Sequence, residues 1–191
     1  MSDMAISPAR HRITTDEYHR MADAGIFAPD VRLELIDGDL IESRVTMKPP
    51  HAAVVQFLTR TLTVGLGDRA VVRCRLPVTL GDLWEPEPDF AIVRAPGTLY
   101  CARHPAAGDV LAIIEVADAS RDFDVGRKVP IYARSGIPET WIVDLIDSCI
   151  RIFRDPQGAT YADATAAPMT APVSLQSFAD VTLRIRDVQA E

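Results

Sequence analysis

Lysine is almost absent from this chain of 191 residues: only Lys48 and Lys128 occur, and every other cationic side chain apart from histidine is arginine. Long apolar runs are missing too. None approaches the roughly 20 residues of a membrane span, so no membrane partner is expected. The N-terminus, Met1-Ser-Asp-Met-Ala-Ile-Ser7, has no basic stretch followed by an apolar one, so no signal peptide is expected. Cys74, Cys101 and Cys149 are odd in number and widely spaced. That spacing suits neither a disulfide framework nor a zinc motif, and a reducing cytoplasm is the default compartment. Excess positive charge is lacking as well. The net charge of -7 argues against a protein held on nucleic acid by bulk electrostatics alone, although a local groove remains compatible with it. Against this background the lysines carry a hint. A compact ammonium can lose its proton when buried, and a guanidinium cannot.

The length suits one domain with a substantial core. Residues 1–12 read as a frayed tail. Thr14-Thr-Asp-Glu17 has a capping-box pattern, opening a helix through Tyr18 and Met21 to a stop at Gly25. Val31–Ile36 alternates, Asp37-Gly38 turns, and Asp39–Arg44 completes a hairpin. After a loop from Val45 to Pro50, the spacing of Val55, Leu58, Leu62 and Leu66 predicts an amphipathic helix over 52–66. Strands are expected at 70–74, 78–80, 90–93 and 111–116. A helix is expected over 124–135, with Pro130 disturbing its start. Strands at 140–145 and 148–153 follow, then an Ala/Pro/Thr-rich stretch at about 159–173 and an apolar segment at 181–188. This order indicates an α+β or mixed α/β domain with one central sheet.

Two runs stand out: Glu85-Pro-Glu-Pro-Asp89-Phe-Ala-Ile-Val-Arg94 and Val110-Leu-Ala-Ile-Ile-Glu115-Val-Ala117. Each is a short strand with a carboxylate at one end. As antiparallel neighbours they bring Asp89 and Glu115 side by side. Two adjacent carboxylates repel unless a proton or a cation lies between them, and a hard divalent ion such as Mg²⁺ accepts oxygen-only ligands. On that repulsion alone, Glu115→Ala is expected to raise the stability of the metal-free protein. Strand parity puts Leu111, Ile113, Glu115 and Ala117 on one face. The small Ala117 leaves room for Lys128 to reach in from the following helix, with Tyr132 on the same helical face at i+4. Simpler uses exist for several residues. Glu34 can pair with Arg32 or Arg44 across its hairpin, Tyr132 and Trp141 can be core, and His51 can be a helix-terminal polar residue. Glu85, Glu87, Asp122 and Asp124 read as solvated turns, with Glu87 close enough to Asp89 to influence a metal.

Taken in order, Arg32-Leu-Glu34-Leu-Ile-Asp-Gly38, His51, Glu87-Pro-Asp89, Ile114-Glu-Val116, Lys128-x-Pro-x-Tyr132-Ala and Gly136-Ile-Pro-Glu-x-Trp141-Ile-Val-Asp144 resemble the Uma-type family. These are restriction-endonuclease-like proteins of the PD-(D/E)xK nuclease superfamily. The resemblance runs from about residue 12 to about residue 155. It implies a restriction-endonuclease-like core over 13–155, a central mixed β-sheet flanked by helices, with residues 156–191 as an extension packed on the same domain. It also implies that Asp89, Glu115 and the carbonyl of Val116 bind Mg²⁺ or Mn²⁺. Lys128 corresponds to a lysine moved from strand to helix, and Glu34 to an acidic residue from an N-terminal element. Tyr132, His51 and Glu87 are accessory candidates. The chain departs from the pattern at Val45-Thr-Met-Lys-Pro-Pro50, before His51, and at Ala117, where a Glu-x-Lys motif has its lysine.

The expected function is metal-dependent hydrolysis of phosphodiester bonds in nucleic acid, DNA first, by a protein that pairs as a homodimer when both strands are cut. Two alternatives follow from the same residues. One is a non-catalytic binding or assembly module of the same fold, favoured by the acidic charge and the few aromatic or basic clusters. The other is a small-molecule hydrolase using Asp89 and Glu115 as an acid/base pair.

Overall fold

In the computed structural model, residues 9–42 and 48–185 are described. A capping box built by Thr14 and Glu17 opens α1 (Thr15–Asp23). Strands β1 (Leu33–Ile36) and β2 (Asp39–Glu42) form the expected hairpin. Its turn holds Asp37 at φ 57° and Gly38 at φ 76°, the left-handed pair that a two-residue hairpin turn requires. A Cβ at Gly38 would lie 2.6 Å from Cβ of Arg12. Gly38→Ala is therefore expected to cost about 1–3 kcal/mol, read as a lowered unfolding midpoint in urea. An unchanged midpoint would mean that the turn relaxes freely. The tail expected over 1–12 lies largely outside the described residues, although Arg10 and Arg12 pair with Asp39 and Asp37.

Helix α2 (Pro49–Leu66) starts three residues earlier than its apolar spacing indicates, because proline suits the first helical positions. The expected loop before it falls mostly outside the described residues. Strands β3 (Ala70–Cys74), β5 (Phe90–Arg94), β6 (Val110–Ala117), β7 (Glu139–Asp144), β8 (Cys149–Gln157) and β9 (Thr160–Pro168) form one six-stranded sheet in the order β3-β5-β6-β7-β8-β9. All pairs are antiparallel except β6 with β7. A parallel pair needs a crossover, supplied here by α3 (Arg121–Phe123), a π-helical turn (Asp124–Lys128) and α4 (Val129–Arg134).

Val54, Leu58, Leu62 and Leu66 of α2 pack on one face of the sheet against Phe90, Ile92, Ile114, Trp141 and Val143. On the other face Ile131 and Tyr132 of α4 meet Ala91, Val93 and Ile113. Each fully buried large apolar side chain contributes about 1.5–3 kcal/mol. The sheet is thus covered on both sides, and its functional edge is a strand end.

Two expectations are corrected, and one segment without an assignment gains a structure. Residues 78–80 are not a strand. The N–H groups of Val78 and Leu80 donate to Pro86 and Trp84, whereas that of Thr79 donates to Pro105, so no single ladder forms. The local pairing partner is β4 (Trp84–Glu85), which joins β1 in a three-stranded sheet β2-β1-β4. Leu111 leaves its expected face, because a β-bulge at Ile92/Val93 turns it toward the α2 side. The Ala/Pro/Thr-rich segment, where alternation is weak, becomes β9. It pairs with β8 alone and is anchored by Tyr161, whose hydroxyl meets Thr140 Oγ1 at 2.8 Å and donates to the Ile137 carbonyl at 3.0 Å. The apolar segment at 181–188 is represented by β11 (Phe178–Leu183), paired with β10 (Val173–Leu175); its remainder beyond residue 185 is outside the described residues.

Candidate active site

Strand β5 begins immediately after Asp89, where Phe90 pairs with Ile114 of β6. This brings Asp89 and Glu115 together and links them through the backbone. The Asp89 N–H donates to Glu115 Oε2 at 3.1 Å, and the Val116 N–H donates to Asp89 Oδ2 at 2.9 Å. Both carboxylates are buried. In a strand the N–H and C=O of one residue point to the same side. The Val116 carbonyl therefore opens toward Asp89, past the end of β5.

The crossover helix brings the cation. Val129 N–H donates to the Asp124 carbonyl five residues back, closing a π-turn. Pro130 has no N–H and would clash with a carbonyl four residues before it in a regular helix. The wider turn is the physical answer to that proline, and such turns recur at functional sites. It aims both Asp124 and Lys128 inward, each buried. Lys128 Nζ lies 3.3 Å from Glu115 Oε1 and 2.9 Å from Glu34 Oε2. The Tyr132 hydroxyl donates to Glu115 Oε1 at 2.5 Å, so the i+4 spacing of Lys128 and Tyr132 puts both on one carboxylate oxygen. Tyr132 is also core, packed in the cluster under α4. Ala117 is not the space that receives the lysine; it is buried with Val129 and Ile142.

Glu34 does not take Arg32 as its partner. Arg32 instead bonds Glu87 at 2.7 Å, and the Glu87 N–H donates to Glu34 at 3.2 Å. Arg44 lies outside the described residues. The hairpin thereby clamps both the segment leading to Asp89 and the helix bearing Lys128. His51, in the first turn of α2, places Nε2 3.5 Å from Asp89 Oδ1. That atom is buried with no hydrogen-bond partner. Asp124 and Glu85 are buried rather than solvated turns: Ser120 Oγ donates to Asp124, and Glu85 holds His19 and Thr79. Asp122 remains exposed. Two residues escaped the sequence reading. Asp124 stands at i−4 from Lys128, a spacing visible in hindsight. Arg75, whose Nε lies 3.7 Å from Asp89 Oδ1, sits at φ 52° just beyond β3, and nothing in the sequence signals that geometry.

These groups line a cavity of about 280 Å³, in which carboxylates outnumber the cationic Lys48, Arg75 and Lys128. Lys48 is itself paired with Asp118 at 3.0 Å. Burial pushes the Glu115 carboxyl up to about 8; Lys128 opposes the rise, and Asp124, Asp89 and Glu34 add to it. Burial also raises Asp89, but His51, the Val116 N–H and Arg75 outweigh it and hold the group below its ordinary value. For Lys128, burial acts downward, yet Glu115, Glu34 and Asp124 win and raise it. The lysine is therefore an ammonium among carboxylates, not a neutral amine. The scarcity of lysine in the sequence suggested a proton-losing role, and this environment removes that reason.

Among the described residues, no group of three or more His, Cys, Asp or Glu side chains is gathered into a ready-made metal cage. The donor set is smaller: Asp89, Glu115 and the Val116 carbonyl. Mg²⁺ keeps several waters and is commonly bound through one or two carboxylates, so an oxygen-only set of this size fits it. His51 Nε2, 3.5 Å from Asp89 Oδ1, is a further buried polar atom there without a hydrogen bond of its own.

Among the described residues, no helix is long and apolar enough to cross a membrane. No curated protein matches the chain. A crystal structure described as "a putative nuclease belonging to DUF820 from Anabaena variabilis" matches with a TM-score of 0.70 and 18% identity, covering 92% of this chain and 97% of the other. At that identity the likeness speaks for the fold, a mixed sheet flanked by helices. The model of the family Uma2, described as "Putative restriction endonuclease", matches residues 15–186. The chain belongs to the Uma2 family.

Proposed function

We propose that this protein is an endonuclease that hydrolyses phosphodiester bonds of DNA with the help of Mg²⁺ or Mn²⁺. The carrying observation is the meeting of Asp89 and Glu115 at one strand end with Lys128 bonded to Glu115. Family membership supports a nuclease. Asp89, Glu115 and the Val116 carbonyl would hold the ion. When bound, it supplies charge relief on the phosphate oxygens and a more acidic water. Lys128, fixed by Glu34 and Glu115, is placed to orient a nucleophile or to stabilise the negative charge that develops on the phosphate. Tyr132 fixes the Glu115 carboxylate, and Glu34 fixes the lysine.

The test is cleavage of single- and double-stranded DNA with Mg²⁺, with Mn²⁺ and with chelator, beside Asp89→Asn. Cutting is expected only with metal, and Asp89→Asn is expected to reduce it by about 10²–10³-fold. Absence of cutting, or cutting that survives the substitution, would move the function to a binding module of the same fold.

A further inference from the structure

A second concavity differs from the first in its walls. Its walls include His19, Thr79, Tyr100, Cys101, Arg103 and His104, and no carboxylate lines it among the described residues. Arg73 of β3 is not itself a wall residue but touches two of them, His104 and Tyr100. The Nε of Arg73 is buried with no hydrogen-bond partner, and Arg73 makes no ion pair among the described residues. Its remaining bonds, Nη2 to the Pro77 carbonyl at 3.4 Å and to His104 Nδ1 at 3.5 Å, are long. Two guanidinium groups approach the Tyr100 ring, with Arg73 Cζ at 5.9 Å and Arg103 Cζ at 5.8 Å from its centre. Arg103 is steadied by Asp109 at 2.6 Å. A half-desolvated guanidinium without an anion is costly, and burial lowers the pKa of Arg73 accordingly.

Position gives the concavity a meaning. Arg73 pairs with Ala91, two residues from Asp89. It is also two residues from Arg75, roughly 7 Å along the strand by its rise per residue, and Arg75 reaches Asp89. The acidic cavity repels a polyanion, so the grip on one must come from elsewhere in the fold. Arginine beside an aromatic ring is the pairing that holds a phosphate and a base of one nucleic-acid strand.

We propose that Arg73, Tyr100 and Arg103 form a phosphate-binding subsite that grips the nucleic-acid strand flanking the bond presented to Asp89 and Glu115. The subsite rests on the nuclease reading but is measured without cleavage. Anisotropy of short labelled single-stranded and duplex DNA, in chelator at low salt, is compared for the full chain, Arg73→Gln, Arg103→Gln and the double variant. Melting curves check the fold, and the exposed Arg103→Gln serves alone if Arg73→Gln fails to fold. The double variant is expected to bind about tenfold or more weakly, and the slope of log Kd against log salt to fall by about one per arginine removed. Wild-type-like binding by a folded variant overturns the subsite, as does a wild-type chain that binds no DNA at low salt. Direct titration with inorganic phosphate and with a mononucleotide separates the sources. Loss of only their binding, with DNA binding intact, overturns the strand grip in favour of a small-anion site. Failure of the nuclease reading shows separately, as DNA binding that depends on Arg73 and Arg103 without metal-dependent cutting.

Discussion

Lys128→Arg is expected to lower kcat for DNA cleavage by about 10²–10³-fold while the protein stays folded. The charge is kept, but the geometry is not. The ammonium is a compact donor that reaches Glu34 Oε2 at 2.9 Å and Glu115 Oε1 at 3.3 Å inside a buried site. A planar guanidinium has a different reach and a fixed fork, so it cannot occupy the same point between two carboxylates. It is also larger, in a helix whose inner face is packed against the sheet. Lys128→Met separates the remaining factor. It leaves Glu34 and Asp124 without their buried cation, and a broken buried pair costs about 3–5 kcal/mol. The expected pattern is an inactive, folded arginine variant and an inactive, destabilised methionine variant, read by cleavage rate and by urea unfolding. An arginine variant with wild-type turnover would remove Lys128 from the chemistry and leave it a purely structural cation.

The way these residues meet shows what was legible in the sequence. Two short apolar runs, each with a carboxylate at one end, mark β5 and β6, and if they pair antiparallel, as they do, Asp89 and Glu115 meet. Parity placed Glu115 on the face of the crossover helix, and i+4 spacing placed Lys128 with Tyr132. These are local periodicities, and periodicity is what a sequence displays directly. The misses have a common cause. Asp124 has the i−4 spacing to Lys128, but its burial comes from the π-turn and the packing of the crossover on the sheet, which the polar stretch around it does not display. Leu111 changed face through a bulge that depends on the partner strand. Arg75 reaches Asp89 from a left-handed backbone position that an arginine gives no hint of adopting. β9 is held by the β8 ladder and by Tyr161 rather than by apolar alternation of its own. In each case a neighbour distant in sequence decides the outcome, and local pattern is silent about it.

The expected stability of Glu115 variants is the inverse of what repulsion alone would give. Two bare carboxylates side by side would make Glu115→Ala stabilising. In the fold, however, Glu115 accepts from the Tyr132 hydroxyl, the Asp89 N–H and Lys128, all buried. Removing it strands the hydroxyl and the N–H and leaves a cavity, at about 2–5 kcal/mol. The cost should depend on pH in a stated direction. The Glu115 carboxyl is pushed up to about 8 from its ordinary value of 4.5, so between these values the folded state binds the extra proton. Its contribution is fully present below about pH 4.5 and is lost as pH rises through about 8. Metal-free wild type should therefore lose stability from this group across that window, whereas Glu115→Ala has no such group to ionise. The gap between them is expected to be widest near pH 5 and to narrow by several kcal/mol near pH 9. Mg²⁺ should reverse the trend for wild type only, because a bound cation favours the ionised carboxylate. Urea unfolding of both proteins in chelator and in Mg²⁺ at these two pH values gives the eight stabilities needed. An alanine variant more stable than wild type at pH 5 would show that Lys128 and Tyr132 do not neutralise Glu115. A variant that still gains stability from Mg²⁺ would put the ion on other ligands.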